Sequence, residues 1–271
     1  MICAGMALSL SAQEEVGNKK VQLGMAYQFG LNFNKSATKI AERDGAGVQN
    51  MIGMNMNYSF NPNIGISTGL EFDFESFKYK ITSTDPVYYK YVDTDIQQKE
   101  DNPSTYALYE LTHRKQKAIY ATIPTMLLFR TNMLGDFRYY GKFGARTSFL
   151  LKSTINDDGF NIKNNDLVSN VKTAASNDNM RAQGDMFFMR STIGLAGGAE
   201  WNFTGNTSMF AEIGFYYGFT PVHYGDAITG DDKERDMTLY TSGLSNGTGT
   251  DDYVTMKATQ RQIVLKIGIL F

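Results

Sequence analysis

Apolar and polar side chains alternate with a period of two over much of this chain, the periodicity of β-strands with one apolar face. In residues 21–33, apolar side chains occupy the odd positions, and Gln, Gly, Ala and Asn fill the even ones. The alternation predicts eight strands, which are residues 21–33, 48–60, 64–79, 116–130, 137–151, 186–201, 208–219 and 258–271. Pro124 cannot donate a ladder hydrogen bond, so we expect a β-bulge there.

Long and short connections alternate between the predicted strands. The long ones are polar and comprise residues 34–47, 80–115, 152–185 and 220–257, the second with room for a short hairpin near residues 87–92. The short ones are residues 61–63, 131–136 and 202–207. An even strand count with every long connection at one end is typical of outer-membrane barrels. The predicted fold is all-β: an eight-stranded antiparallel up-and-down transmembrane β-barrel with long external loops.

The polar face of these strands distinguishes a membrane barrel from a soluble sheet. It is rich in Gly, Ala, Ser and Asn with isolated charges, as the crowded interior of a narrow barrel requires. We therefore expect the apolar face to meet lipid and opposite charges to pair inside, as a structural plug or, alternatively, as a selectivity ring or proton path. The predicted polar network of the lumen consists of Glu71, Asp73, Glu75, Arg138, Lys142, Arg146, Arg190, Glu200, Glu212 and Lys266, with Arg130 as a further candidate.

Composition narrows the remaining classes. The formal net charge of −2 argues against a nucleic-acid partner, and the single cysteine, Cys3, excludes a disulfide framework and a cysteine metal site. Residues 1–13 are small and apolar before the chain turns polar, which predicts a signal-peptide remnant followed by a single outer-membrane β-barrel domain over residues 14–271. No run of 18 apolar residues occurs, so no transmembrane helix is expected.

Three short motifs carry a resemblance to a known family. They are Ile123-Pro124 followed by residues 125–128, the glycine-rich residues 194–200, and residues 266–271 at the carboxyl end. Together with the small barrel pattern they resemble the PorT-like outer-membrane β-barrel family, whose named member is tied to protein secretion. Ile267, Ile269 and Phe271 also resemble the insertion signal that outer-membrane barrels present to the barrel-assembly machinery.

The sequence offers little evidence of catalysis. His113 and His223 lie in or beside predicted loops, where His223 with Tyr224 and Asp226 could imitate an enzyme site. Residues 156–159 and 231–232 carry carboxylates without calcium-loop spacing, so solvated loop charge is the favoured interpretation. We expect no catalytic residue, no metal and no cofactor.

The predicted protein is therefore a non-enzymatic barrel of the bacterial outer membrane with both termini periplasmic. Its expected partners are outer-membrane lipid, the barrel-assembly machinery during insertion, and a protein or glycan bound through the external loops. The expected role is surface binding or structural, or accessory to an envelope or secretion complex. The alternatives are a narrow channel or porin for small solutes and an outer-membrane lipid-modifying enzyme.

Overall fold

The computed structural model describes residues 19–36, 40–99, 101, 103–182, 186–204, 206–223, 238–246, 249–254, 256 and 258–271. The predicted signal-peptide remnant, residues 1–13, lies outside the described residues. So do Tyr224, Asp226 and residues 231–232 of the last long connection.

One sheet contains all fourteen strands of the described residues. Eight strands are long: β1 Val21–Ser36, β3 Gly47–Ser59, β4 Ile64–Ile81, β7 Ala107–Arg130, β8 Phe137–Ile162, β10 Met189–Thr204, β11 Thr207–Gly218 and β14 Ala258–Leu270. The other strands are β2 Ala41–Arg43, β5 Val87–Val92, β6 Asp95–Ile96, β9 Lys172–Ala182, β12 Leu239–Thr241 and β13 Asp252–Val254. The all-β prediction is confirmed, but the total is fourteen strands instead of eight, because segments predicted as polar loops contain strands of their own.

Each long strand pairs antiparallel with the next long strand along the chain, and a further ladder joins the first long strand, β1, to the last, β14. β1 pairs with β14 over thirteen positions from Gly24↔Leu270 to Ser36↔Ala258. β8 pairs with β10 from Phe137↔Trp201 to Phe149↔Met189. The ladders therefore run β1–β3–β4–β7–β8–β10–β11–β14 and return to β1. Each long strand thus has hydrogen-bonded neighbours on both sides, which leaves this part of the sheet without an open edge.

The two faces of the long strands differ as the alternation predicts. Apolar side chains point outward and are exposed, as Ile213 of β11 is at 63%. Polar side chains point inward and are buried, and Gln49 of β3 has no exposed surface. In a protein surrounded only by water this arrangement would be inverted, so the exposed apolar face requires an apolar environment outside the chain.

At the end of the sheet away from Phe271, the strands continue beyond their predicted limits. β4 reaches Ile81, β7 begins at Ala107, and β8 extends to Ile162. These extensions and the connections between them form a cap whose apolar core is tyrosine-rich. Its buried members include Phe77, Tyr79, Val87, Tyr89, Ile96, Tyr109, Leu111, Tyr120, Ile155, Met180, Met186, Val222, Leu239 and Met256. The described parts of the long connections are thus packed around an apolar core where the sequence predicted polar loops, and β5 and β6 pair as a hairpin at the place predicted near residues 87–92.

Pro124 does not produce the expected bulge. It lies opposite Arg146 in the β7–β8 ladder without a change of register, and the register instead shifts between Ile119 and Tyr120. In the described ranges, helical structure consists of one 3-10 turn, Lys163–Asn165, and the four-residue helix α1, Gly243–Asn246. Among the described residues, no helix is long and apolar enough to cross a membrane.

The outward position of Ile263 gives a first testable prediction. Ile263 lies in the middle of β14 and its side chain is exposed. Ile263→Lys would place a charge in the expected hydrocarbon layer, so the free energy of unfolding should fall by roughly 2–4 kcal/mol. Reversible urea unfolding in lipid vesicles measures this change.

The matched control is Val168→Lys. Val168 is 80% exposed and lies in the cap, beyond the end of β8, so the same substitution should leave stability within about 0.5 kcal/mol of the parent. Equal losses for both variants would contradict an outward lipid face at Ile263.

Candidate functional site

All ten charged side chains predicted for the lumen lie on the enclosed face. None of them is more than 8% exposed, although they come from five different strands of the sheet, β4, β8, β10, β11 and β14. They occupy alternate positions because a strand turns every second side chain to the same face. The enclosed charges therefore form one candidate site within the sheet, which we call the lumen network.

Glu75 has the most extensive set of partners. The guanidinium of Arg190 on β10 donates from both terminal nitrogens to the two carboxylate oxygens, at 2.9 and 2.7 Å. The side-chain amides of Gln260 and Gln262 on β14 donate to the same carboxylate at 2.9 and 3.2 Å. Because β4 and β10 are not neighbours in the sheet, this fork links opposite walls across the enclosed space.

Glu71 and Asp73 share their cationic neighbours. Glu71 accepts hydrogen bonds of 2.7 Å from Arg146 of β8 and 2.7 Å from Lys266 of β14. Asp73 lies 3.4 Å from Arg146 and also accepts a hydrogen bond of 2.7 Å from the amide of Gln49. Three carboxylates at alternate positions of one strand would repel one another, and these cations offset that repulsion.

Towards Phe271 and the short turns, the network continues with two further acids. Lys142 donates to Glu212 over 2.6 Å, between β8 and β11. Glu200 of β10 pairs with Arg138, and Arg130 approaches it to 3.6 Å. Arg130, which the sequence left as a candidate, is thus part of the network, and it also donates to Gln22 over 2.6 Å.

Sequence reasoning missed the neutral members of the network. Gln49, Asn55, Gln260 and Gln262 are buried and hydrogen-bonded to its charged groups. Their inward parity was readable in the alternation, but amide side chains on a polar face look the same whether the face is solvated or enclosed. Only burial makes each unmatched charge costly, so the amides become necessary partners inside.

Aromatic rings occupy space between these charges. The guanidinium of Arg190 lies 4.2 Å from the ring centroid of Tyr120, and that of Arg146 lies 4.9 Å from the centroid of Tyr216. Near the short-turn end, the void beside Asn55 and Lys142 is too small to hold a water molecule. The enclosed face is thus packed with ion pairs, amides and aromatic rings at these positions.

A second buried ion pair lies in the cap. Arg114 of β7 donates to both oxygens of Asp157 on β8, at 2.9 and 2.8 Å, and neither side chain is exposed. The prediction of solvated loop charge for residues 156–159 was therefore wrong at Asp157. Burial, with the Asp157 carboxylate as a smaller cause, raises the pKa of the neighbouring Tyr89 and Tyr109 hydroxyls.

His223 is buried beside the cap core, although the sequence placed it at a loop. Its Nε2 lies 2.9 Å from the Tyr79 hydroxyl, and its backbone forms an isolated bridge with Met186. His113, by contrast, is exposed on the outward side of β7. The structure therefore brings His223 together with a tyrosine of the core, while its predicted companions Tyr224 and Asp226 lie outside the described residues.

The three residues of the predicted insertion signal point outward. Ile267, Ile269 and Phe271 are exposed, and β14 pairs on one side with β1 and on the other with β11. Their apolar side chains therefore lie on the same outward face as Ile263.

Comparison with known proteins identifies a family for most of the chain. Residues 11–224 match the family model described as outer membrane protein beta-barrel domain. No curated protein matches the chain significantly.

Three solved structures illustrate the likeness. The chain is similar to OprG of Pseudomonas aeruginosa, with 12% identity, a TM-score of 0.42, and coverage of 94% of this chain and 95% of that one. It is similar to Ail, the attachment invasion locus protein of Yersinia pestis, with 10% identity, a TM-score of 0.33, and coverage of 93% of this chain and 100% of that one. It is also similar to the outer membrane protease OmpT of Escherichia coli, with 12% identity, a TM-score of 0.33, and coverage of 96% of this chain and 98% of that one. At these TM-scores, the likenesses support no conclusion about activity.

The fork between Glu75 and Arg190 gives a second prediction. Arg190→Met leaves the buried Glu75 carboxylate with amide donors but without its guanidinium, so the free energy of unfolding should fall by about 3–5 kcal/mol. Urea unfolding in lipid vesicles measures the loss.

The double variant Arg190→Met/Glu75→Gln removes both charges and should recover most of that stability, because no buried charge is left uncompensated. The losses of unfolding free energy in Arg190→Met and Glu75→Gln alone provide the comparison. If the double variant lost as much as the two single variants together, the pairing would not be what stabilises this part of the network.

Proposed function

Because this chain belongs to the outer membrane protein beta-barrel domain family, we propose that it is a non-enzymatic surface barrel with a plugged lumen, whose partner binds at the cap. It is an outer-membrane β-barrel protein of bacteria. The proposed role is binding or structural, or accessory to an envelope or secretion complex. The observation that supports it is the lumen network, whose buried ion pairs, amides and aromatic rings lie on the enclosed face, where a channel would need open space.

We interpret the cycle of eight long strands as one transmembrane barrel. The β1–β14 and β8–β10 ladders support it, since they leave no unpaired edge to face hydrocarbon. Eight strands make a barrel just wide enough for side chains to fill, which agrees with the packed enclosed face. On this interpretation residues 14–271 form a single domain, and the ten predicted charges with Arg130 form its structural plug.

The cap supports a binding role. Beyond β8 and before β9, the Asp166 carboxylate accepts hydrogen bonds from the backbone nitrogens of Val168 and Ser169, at 2.9 and 3.2 Å. The Asn165 side chain also accepts from the backbone nitrogen of Leu108 at 2.9 Å. These bonds hold the tip in one shape while Val168 remains 80% exposed. A fixed tip with an exposed apolar residue suits a protein or glycan partner, because little ordering is needed on binding.

The connections between the strands support an orientation in the membrane. The short turns, the start of β1 and the carboxyl end of the chain lie at one end of the sheet, where the Phe271 nitrogen donates to the Leu23 carbonyl over 2.7 Å. We place this end in the periplasm and the cap outside the cell. The outward Ile267, Ile269 and Phe271 then fit an insertion signal for the barrel-assembly machinery. The PorT-like resemblance fits the same placement and is part of the proposal.

Single-channel recording tests the plugged lumen. Purified protein in planar bilayers should show no steady ohmic conductance, because ion pairs and aromatic rings occupy the enclosed face. An open porin inserted under the same conditions verifies the recording. Stable conductance steps from the parent protein would favour a narrow channel instead.

Cysteine labelling in intact cells tests the orientation. In a Cys3→Ser background, which removes the chain's single cysteine, Val168→Cys should react with a membrane-impermeant maleimide. Phe60→Cys in the turn between β3 and β4 should react only after the outer membrane is permeabilised.

Both positions are exposed in the structure, so folding does not hide either thiol. Labelling of Phe60→Cys in intact cells, without labelling of Val168→Cys, would reverse the proposed orientation.

A further inference from the structure

Four lysines form a basic patch on the outward face, which we define as Lys78, Lys115, Lys117 and Lys152. Lys78 of β4 lies directly opposite Lys115 of β7 in their ladder. Lys117 is two positions further along β7 and therefore on the same face. Lys152 of β8 lies opposite Ile119, which makes it a diagonal neighbour of Lys117. Three of these side chains are exposed, and Lys78 is half-buried.

Two acids lie beside the patch without forming a salt bridge to it: Asp44, whose backbone nitrogen donates to the Lys78 carbonyl, and Asp178, whose carboxylate accepts from the side chain of Asn156. Within the part of the chain that the structure describes, no salt bridge joins any of the four lysines to a carboxylate. The strand positions directly opposite Lys117 and Lys115 on β8 are held by Thr154 and Asn156. Like charges opposite each other on neighbouring strands are destabilising. No salt bridge within the described chain offsets the repulsion between Lys78 and Lys115.

The patch lies at a definite level of the sheet. On the side towards the short turns, outward positions are apolar, and Phe74 and Leu151 are among the exposed residues next to the patch. On the cap side, outward positions also carry carboxylates, since Glu42 lies opposite Lys80 and Asp158 lies opposite His113. The four lysines therefore occupy the boundary between the apolar band and the polar cap, where the headgroups of a bilayer meet a membrane protein.

We propose that the basic patch binds the phosphate groups of the phosphorylated glycolipid of the outer leaflet, lipopolysaccharide. The charges are complementary, and ammonium groups donate strong hydrogen bonds to phosphate oxygens. Lysines near an anionic lipid surface attract it by about 1 kcal/mol each. A phosphate shared by Lys78 and Lys115 removes their mutual repulsion. Acyl chains of the same lipid would lie along the exposed apolar side chains below. The choice of leaflet rests on the orientation proposed above.

Binding in detergent micelles tests the patch without reference to leaflets. Purified full-length protein is titrated with lipopolysaccharide, with enzymatically dephosphorylated lipopolysaccharide and with phosphatidylglycerol, and binding is followed by native mass spectrometry. The parent should prefer the phosphorylated glycolipid. Lys78→Gln/Lys115→Gln should weaken this binding about 30-fold, the factor for two lysines at about 1 kcal/mol each. Lys19→Gln/Lys163→Gln removes the same charge outside the patch and should leave affinity unchanged.

Thermal unfolding of the same samples separates binding from a structural role. Without lipid, Lys78→Gln/Lys115→Gln should unfold at the same or a higher temperature than the parent, because it removes a like-charge pair. When lipopolysaccharide is added, the unfolding temperature of the parent should rise more than that of the variant. An equal loss of affinity in both double variants, or equal binding of phosphatidylglycerol, would overturn the proposal. Reversed cysteine labelling in cells would overturn the orientation and, with it, the assignment of the patch to the outer leaflet, whereas binding in detergent tests the affinity of the patch by itself.

Discussion

Ion pairs between strands that are not neighbours hold the enclosed face together. Glu75 on β4 and Arg190 on β10, and Glu71 on β4 and Lys266 on β14, link walls that share no backbone ladder. A buried charge without a partner would cost several kcal/mol. The folded state is therefore stable only when the sheet is curved enough to bring these oppositely charged side chains together. The ladders set which strands are adjacent, and the charges make one curvature and one packing of the interior favourable.

Burying polar groups inside has a consequence for the outside. The alternation that turns Glu75 inward also turns Phe74 outward, and the same holds along each long strand. The long strands thus turn their apolar side chains outward, towards lipid, and pair their charges inside, which is the arrangement of an outer-membrane barrel. The basic patch lies where this alternation changes from an apolar to a polar outward face. Its position follows from the same geometry, and within the described chain its lysines form no salt bridge.

The cap is stabilised by different interactions from the lumen network below it. Tyr79, Tyr89 and Tyr109 pack in an apolar core, and the cap also holds the ion pair of Arg114 with Asp157. Rings of Tyr89 and Tyr109 lie 5.1 Å apart, a separation typical of favourable aromatic pairs. This core rests directly on the network through Arg190, whose guanidinium faces Tyr120. The barrel therefore carries a folded cap, whose tip around Val168 is held by hydrogen bonds from the backbone to Asp166 and Asn165.

The sequence determined the faces of the strands, and the tertiary structure decided what those faces contact. Period-two alternation identified every long strand and the inward side of Glu71 or Arg146, because side-chain direction in a strand is a local property. It could not show that Arg190 meets Glu75 or that Asp157 is buried, since both depend on residues far apart in sequence. It also missed β9 and the extensions of β7 and β8, whose polar residues gain their order only from pairing and from the cap core. Which charges are solvated and which are paired was decided by the curvature of the closed set of ladders, a property that no single segment of the chain contains.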